Sequence, residues 1–369
     1  MKIAINALYY TSWQGIEVFL SNLINAWPNN PDDEVVVFAN QKSAEFLRPL
    51  PDYIRLEIKK FKKLDRLRLF LYQQTTLPAI LKKEKFDLLF CPSLIAPWFY
   101  RKKIITIHDA APFIIREESG FLGRIFWQIN LFFGLRSSLK IVTVSEFSRQ
   151  ELIIKLKIKA DEIEIIRNGA PRPSNILPRQ GIINPYQDSE YLVAVGNSRP
   201  RKNLISLLRA FIILAEQFPN LKLILIGKYD KRMAEIQKVS NQLGAKNIVF
   251  PGFINEAEKN KIIRDAKALI LPSLYEGFGL PIIEANALDT PVACSDIPAF
   301  REIANDAALF FAPLDKNDIA LKIKNILEYQ SLADNLITAG RANIRRFDWR
   351  KSATSLIKLI HCHENTRNQ

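Results

Sequence analysis

Two carboxylates, Glu276 and Glu284, enclose the stretch of this 369-residue chain best suited to hold an anion. Between them stand Gly277, Phe278, Gly279 and Leu280, followed by Pro281. Proline is favoured in the first turn of a helix, because its missing N–H is one the helix cannot use. Two glycines let a bulky ligand approach the backbone closely. Amide N–H groups around Gly279 and Leu280, with the positive end of a helix dipole behind them, suit a phosphate. A carboxylate beside bound phosphate is repelled unless it has donors of its own, and a vicinal diol offers two hydroxyls to its two oxygens. Phosphate plus hydroxyls at two positions describes a sugar nucleotide.

A second basic loop fits the same chemistry. Gly196 ends an apolar run, and Arg199, Arg201 and Lys202 precede a helical pattern that begins at Leu204. Lys202 is placed to act as a point charge on a diphosphate beside helix N–H groups. The plain alternative is a solvated basic loop. Of the three histidines, His361 and His363 lie in a polar tail, so histidine chemistry in the folded body rests on His108. It ends the run from Ile104 to Ile107 and precedes Asp109.

These residues need elements to hold them. The pattern predicts strands over 2–7, 34–40, 86–91, 103–108 and 140–145, with helices over 15–27 and 64–83. Strands separated by helix-length segments argue for a parallel sheet covered on both faces. Ligands on such sheets bind beyond the carboxyl ends of the strands. That singles out Tyr9 to Gly15, Pro92 and Ser93, His108 and Asp109, and Ser145 and Glu146. Ser145 reads as a helix N-cap and Asn168 with Gly169 as a turn, both structural. Prolines 171, 173, 178 and 185 mark a linker over 171–189. After it, strands are expected over 191–196, 221–227, 247–252, 268–271, 291–295 and 308–311. Helices are expected over 204–218, 316–330, 331–346 and 349–360.

Composition is compatible with two globular domains: 48% of the residues are hydrophobic, which excludes a disordered chain. No run supplies the roughly 20 apolar residues of a membrane span. The first residues read as a strand and not as a signal-peptide core. Cys91, Cys294 and Cys362 are too few and too scattered for a disulfide framework and suit free thiols in a reducing cytosol. The net charge of +14 calls for an anionic partner. Nucleic acid, anionic lipid and sugar-nucleotide phosphate all qualify on charge.

The pair Glu276 and Glu284 around Gly277 to Pro281 resembles the signature of retaining family 4 glycosyltransferases of the two-Rossmann-domain type. The strand-terminal His108 and Asp109, the run Val144 to Ser148, Arg167 to Gly169, and Lys202 match the same family, over roughly residues 1–360. The resemblance implies an α/β fold with two Rossmann-like domains facing across a cleft (GT-B). Their boundaries are expected at 1–170 for the acceptor-side domain, 171–189 for the linker and 190–345 for the nucleotide-sugar domain. A helix over 346–369 is expected to pack back on the first domain. The implied activity is a metal-independent hexosyl transfer with retention, without a cofactor beyond the nucleotide-sugar co-substrate. The implied catalytic residues are His108, facing the donor sugar, and Glu276, orienting its hydroxyls. The implied nucleotide-sugar residues are Gly15, Gly196, Arg201, Lys202, Phe253, Gly277, Phe278, Gly279, Leu280 and Glu284, with Lys202 on the diphosphate and Glu284 on the ribose.

Where the family often has arginine after the glycine, this chain has Asn197, and Arg199 or Arg201 stands in. Gly15 either approaches the diphosphate or only starts a helix. Gly252 and Phe253 form either the base-contacting turn or an ordinary one. The run Val195 to Asn203 resembles members that transfer mannose, or sometimes rhamnose, in surface-polysaccharide assembly. GDP-mannose is therefore the expected donor, with a UDP- or dTDP-sugar as the alternative. A nucleotide-sugar-binding protein without transfer activity would not require His108. Nucleic-acid binding lacks zinc-finger spacing and an RNA-recognition aromatic motif. A dinucleotide oxidoreductase would need G-x-G-x-x-G, which neither Gly15 nor Gly196 opens.

The charge itself gathers in two places. Lys59, Lys60, Lys62, Lys63, Arg66 and Arg68 surround Phe61, Leu64, Leu67, Leu69 and Phe70. Trp98, Phe99 and Tyr100 meet Arg101, Lys102 and Lys103. Basic side chains interleaved with apolar ones suit an anionic bilayer. The alternative is a helix whose apolar face is core and whose lysines are merely solvated. The expectation is a cytoplasmic protein with peripheral, salt-sensitive contact at the inner membrane and a glycan or lipid-linked acceptor.

Overall fold

A computed structural model describes residues 1–8, 14–47, 49–61, 66–171 and 182–365. The loop 9–13 ahead of Gly15, the residues Lys62 to Asp65 of the first basic cluster, and linker positions 172–181 lie outside the described residues. The chain forms two compact units, one of Met1–Gly169 with Asp348–Gln369, the other of Ala170–Phe347.

In the first unit the described residues form a seven-stranded sheet, in the order β3-β2-β1-β4-β5-β6-β7. The strands are β1 (Lys2–Ala7), β2 (Glu34–Asn40), β3 (Ile54–Lys59), β4 (Leu88–Cys91), β5 (Lys103–Thr106), β6 (Lys140–Thr143) and β7 (Ile163–Ile165). Every pairing is parallel. The central strands are buried along nearly their whole length, which is why they read as continuous apolar runs. β3 was not expected from the sequence. It is an edge strand carrying Arg55, Glu57 and Lys59 among its alternating positions, and charge on an edge hides a strand while protecting it. Lys59 of the first basic cluster sits there, 3.5 Å from Glu57.

The helix expected over 64–83 is two helices, Arg66–Gln74 and Thr76–Lys83. Pro78 explains the break, since its ring would collide with the carbonyl of Gln74 in a continuous helix. The long helix Arg116–Ser137 was not foreseen, and it kinks at Gly120, whose φ is 61°. Gly134 lets this helix lie close on the sheet, because a Cβ there would stand 3.0 Å from Leu94 and 3.1 Å from Ile105.

The helix Trp349–Asn365 belongs to the first unit. Trp349 sits edge-on to Phe19, with ring centroids 6.1 Å apart, and His361 meets Asp33 at 3.0 Å. Gly169 is structural, as expected, but for a different reason than a turn. A Cβ at this position would lie 2.4 Å from the Trp349 backbone nitrogen, so only glycine leaves room for the helix.

In the second unit six parallel strands of the described residues follow the order β10-β9-β8-β11-β12-β13. They are β8 (Tyr191–Val195), β9 (Lys222–Ile226), β10 (Ile248–Gly252), β11 (Ala268–Leu271), β12 (Val292–Ser295) and β13 (Leu309–Phe311). Helix Leu204–Gln217 buries Leu204, Leu207, Leu208, Phe211 and Leu214, the 3.6-residue stripe of a helix laid on a sheet. The end of the expected linker is packed: buried Asn184 donates to the Tyr191 hydroxyl at 2.8 Å and to Asp265 at 2.9 Å. Both units are thus doubly wound Rossmann-like sheets. In each the strand order reverses once, between β1 and β4 and between β8 and β11, and such switch points open the crevices where ligands bind.

Candidate functional site

In the second unit the loops leaving β8 and β11 meet at the switch point. Gly196 directly follows β8, and its N–H donates across to the Ile226 carbonyl at 3.0 Å. Gly227, at the end of β9, must be glycine, since a Cβ would stand 1.9 Å from the Gly196 carbonyl oxygen. The Lys202 side chain passes over Gly196, its Cε 3.5 Å from where a Cβ would be. Lys202 closes a 3₁₀ turn, Pro200–Lys202, and Asn203 follows in the left-handed region at φ 53°. From there the Asn203 amide donates to the carbonyls of Pro272 (3.0 Å) and Pro313 (2.6 Å). Sequence reasoning missed this residue. It ties the loops after β11 and β13 to the start of the helix after β8, and its only local signal is an asparagine in a sharp turn.

Glu276 is the meeting point of the β11 loop. It accepts a close hydrogen bond from Lys202, a 2.8 Å bond from the Ser273 hydroxyl, and Arg201 at 3.4 Å. Arg201 also donates to the Tyr275 carbonyl at 3.3 Å, and the Leu274 amide bonds to the Arg201 carbonyl at 2.7 Å. Burial by itself would raise the Glu276 pKa, but Lys202, Arg201 and the hydrogen bonds more than offset it and hold it below its ordinary value. The carboxylate is therefore anionic at neutral pH. Sequence reasoning gave Glu276 hydroxyl donors and Lys202 a diphosphate. The structure pairs the two with each other, because opposite charges drawn out of water attract strongly. Of the candidate stand-ins for the basic residue absent at Asn197, Arg201 joins Lys202 on this carboxylate.

Gly279 caps the helix Leu280–Ala287 with φ 115°. Glycine is required twice over here, because a Cβ would also lie 3.1 Å from the Phe300 ring. Phe278 is buried with its ring edge-on to Phe347 at 5.7 Å, so its backbone alone is left for a ligand. Glu284 lies in the second turn, 7% exposed, and accepts from Lys259 at 2.9 Å. Burial would lower the Lys259 pKa, yet the Glu284 charge and hydrogen bond, with Glu256 behind, hold it above its ordinary value. Lys259 reaches Glu284 from a helix 25 residues away, a partnership no local pattern announces. Phe253 follows β10 and is 68% exposed, beside Gly252 at φ 78°.

In the first unit His108 follows β5 at the edge of the switch point. Its Nε2 lies 2.9 Å from the Pro92 carbonyl at the end of β4, and its ring meets Phe19 edge-on at 5.0 Å. Burial pulls its pKa below the ordinary 6.5, outweighing the Pro92 bond and Asp109, which act the other way. The imidazole is thus neutral at pH 7. A carbonyl only accepts, so Nε2 carries the proton and Nδ1 holds the lone pair. Asp109 caps the following turn through Ala111 at 3.0 Å, and the Ser148 hydroxyl holds the His108 carbonyl at 3.0 Å. Gly15 stands in the first turn of helix Gln14–Asn25, and a Cβ there would meet nothing within 4 Å.

Lys103, expected in the second basic patch, is fully buried at the start of β5. It donates to the Tyr100 carbonyl at 2.8 Å and to Ser137, and burial lowers its pKa to about 8. It fastens the Pro97 to Tyr100 loop to the long helix and adds nothing to the surface charge.

Residues 13–171 match the family model described as Glycosyltransferase Family 4, and residues 179–343 match the one described as Glycosyl transferases group 1. The chain is 28% identical over 276 residues to O-antigen chain mannosyltransferase B of Escherichia coli, covering 72% of each. It is 29% identical over 226 residues to O-antigen chain mannosyltransferase RfbU of Salmonella typhimurium, a match that takes in 61% of either chain. Its fold is similar to that of Anabaena HepE solved in complex with UDP-glucose, at TM-score 0.75 and 17% identity over 98% of this chain and all of that one.

Proposed function

Since this chain belongs to the glycosyltransferases of the GT-B fold, with a Family 4 region followed by a group 1 region, we propose that it transfers mannose from GDP-mannose with retention of anomeric configuration. The acceptor in this reading is a glycan or a lipid-linked glycan, reached by peripheral contact with an anionic membrane. The observation that carries the donor site is the cluster of Lys202, Arg201 and Glu276 at the β8/β11 switch point, beside the helix N-terminus at Gly279. The mannose assignment is supported by two curated relatives whose names are those of mannosyltransferases.

The chemistry follows from charge. As the bond between the sugar and the diphosphate breaks, negative charge grows on the leaving phosphate. Lys202, Arg201 and the amides at the Gly279 helix start stabilise it as it forms. Glu276 takes hydroxyls of the transferred sugar, and Glu284, held by Lys259, takes the ribose diol. His108, neutral and with Nδ1 as acceptor, is assigned to the transferred sugar. The acceptor hydroxyl forms the new bond on the face the phosphate leaves, and its proton passes to a leaving phosphate oxygen. No side-chain nucleophile is needed.

Thermal unfolding with GDP, UDP and dTDP tests the reading, because a ligand at 100 times its Kd stabilises by about 2.7 kcal/mol. GDP is expected to raise Tm most. A larger rise with UDP or dTDP overturns the GDP-mannose donor, and no rise with any of the three overturns the nucleotide site.

A further inference from the structure

The helix Arg116–Ser137 is apolar on two sides. One side packs on the sheet through Gly134. The other carries Phe121, Leu122, Ile125, Ile129 and Phe132, all exposed, the first two at 78%. At 100° per residue these five fall within one stripe along the helix, and Arg136 continues it with its guanidinium 4.2 Å over the Phe132 ring. The stripe extends onto neighbouring elements. Phe99, also 78% exposed, meets Phe133 at 5.4 Å, and Trp98 stacks on Phe133 at 4.6 Å. Phe70 bridges Trp98 (5.2 Å) and Phe126 (6.2 Å), bringing in helix Arg66–Gln74 with its exposed Leu67 and Leu71.

The segments that build this surface share a charge pattern. Residues 66–83, 88–108 and 119–145 contain no aspartate or glutamate, while they carry Arg101, Lys102, Arg124 and Arg136; the two acids of the long helix, Glu117 and Glu118, precede the kink at Gly120. An apolar patch of this extent marks a docking surface. A second copy of the chain is a poorer occupant: a two-fold interface sets a patch against itself and would face mainly cations with cations, the long helix offering only Glu117 and Glu118, at one end, against Arg101, Lys102, Arg124 and Arg136. An anionic bilayer answers both features, taking the apolar side chains among its acyl chains and the cations at its headgroups. No helix of the described residues is long and apolar enough to cross a membrane. We propose that the outward face of helix Arg116–Ser137, with Phe99, lies in the interface of an anionic membrane and is the element that brings the enzyme to a lipid-linked acceptor. Only the acceptor clause rests on the function proposed above.

The test is co-sedimentation of the full chain with vesicles of phosphatidylcholine alone or with phosphatidylglycerol. Binding is expected to the anionic vesicles, falling at least about tenfold between low and physiological salt. The double variant Phe121→Asp, Leu122→Asp should weaken it by about tenfold or more, since two apolar side chains are withdrawn from the interface. Both side chains are exposed, so unchanged Tm and unchanged GDP binding are the controls for folding. Arg101→Glu with Lys102→Glu should abolish the preference for anionic over neutral vesicles. Equal binding of wild type and the double variant overturns the assignment to this helix. No wild-type binding to either vesicle, or a wild-type dimer that the double variant turns monomeric, overturns the membrane as occupant. Nucleotide binding is measured separately, so failure of the donor-site reading leaves the vesicle result standing.

Discussion

Replacing Glu276 by glutamine should tighten the diphosphate and slow the transfer. Glu276 now holds Lys202 by a close hydrogen bond and Arg201 at 3.4 Å, with the Glu276 side chain 12% exposed. A phosphate bound to Lys202 would have this carboxylate one ammonium group away, on the order of 6 Å. Two unit charges at that separation and an effective dielectric of 20 interact by about 3 kcal/mol. Sharing of the cations reduces this, so the gain on removing the charge is about 1–3 kcal/mol, or roughly 5- to 150-fold in affinity. The same change removes a charged acceptor for sugar hydroxyls, worth about 1.5–3 kcal/mol, and should lower kcat tenfold or more. Titration calorimetry with GDP and steady-state transfer kinetics read the two effects separately. The sign with pH is also fixed. The folded pKa of Glu276 lies below its ordinary 4.5, so its contribution to stability is present above that value and is lost as pH falls through the depressed one. Glutamine should flatten that part of the acid limb. If Glu276→Gln folds normally and binds GDP tenfold more weakly, the carboxylate is not beside the phosphate and the site is misassigned.

Lys259→Ala frees a buried carboxylate and should weaken GDP by about tenfold while leaving pyrophosphate binding nearly unchanged, because Glu284 is assigned to the ribose; calorimetry with both ligands checks this. His108→Ala should lower kcat by tenfold or more with GDP affinity within twofold, and transfer within twofold of wild type would remove it from the reaction. His108 has a folded pKa below 6.5, so wild type should lose stability as pH falls below about 6.5 towards the depressed value, and urea melts of His108→Asn should lack that loss.

The sequence was most informative where burial on both faces leaves an unbroken apolar run. β1, β2 and β11 have the expected ends, β8 stops one residue early, and β9 is one residue shorter at each end than expected. It was least informative where two environments share one element. The edge strand Ile54–Lys59 mixes charge with alternation, and helix Arg116–Ser137 is apolar on both sides, so neither offers a one-face period to read. For the candidate site, Lys202 and Glu276 were singled out from short loops beside glycine and Glu284 from its spacing into the helix that follows, and the structure gives each an ion-pair partner. Ser273, Asn203 and Lys259 were not, since what defines them is a partner supplied by the fold. Lys103 shows the converse error, a cation that composition places outside and that a strand start, a carbonyl and Ser137 draw in.

The seat of Trp349 on Gly169 and Phe19 has a consequence for how the protein is made. The first unit is split in sequence, and 178 residues of the other unit, Ala170–Phe347, are translated between its two parts. At about 5–20 residues per second a nascent first unit waits some tens of seconds at most without its closing helix. Through that interval Phe19 and the groove beside Gly169 stand open, a stretch of apolar surface on an otherwise finished sheet. The second unit, continuous in sequence, has no such delay. A chaperone that binds this chain during synthesis has a defined place to do so, and a chain interrupted after Phe347 would keep that place permanently uncovered.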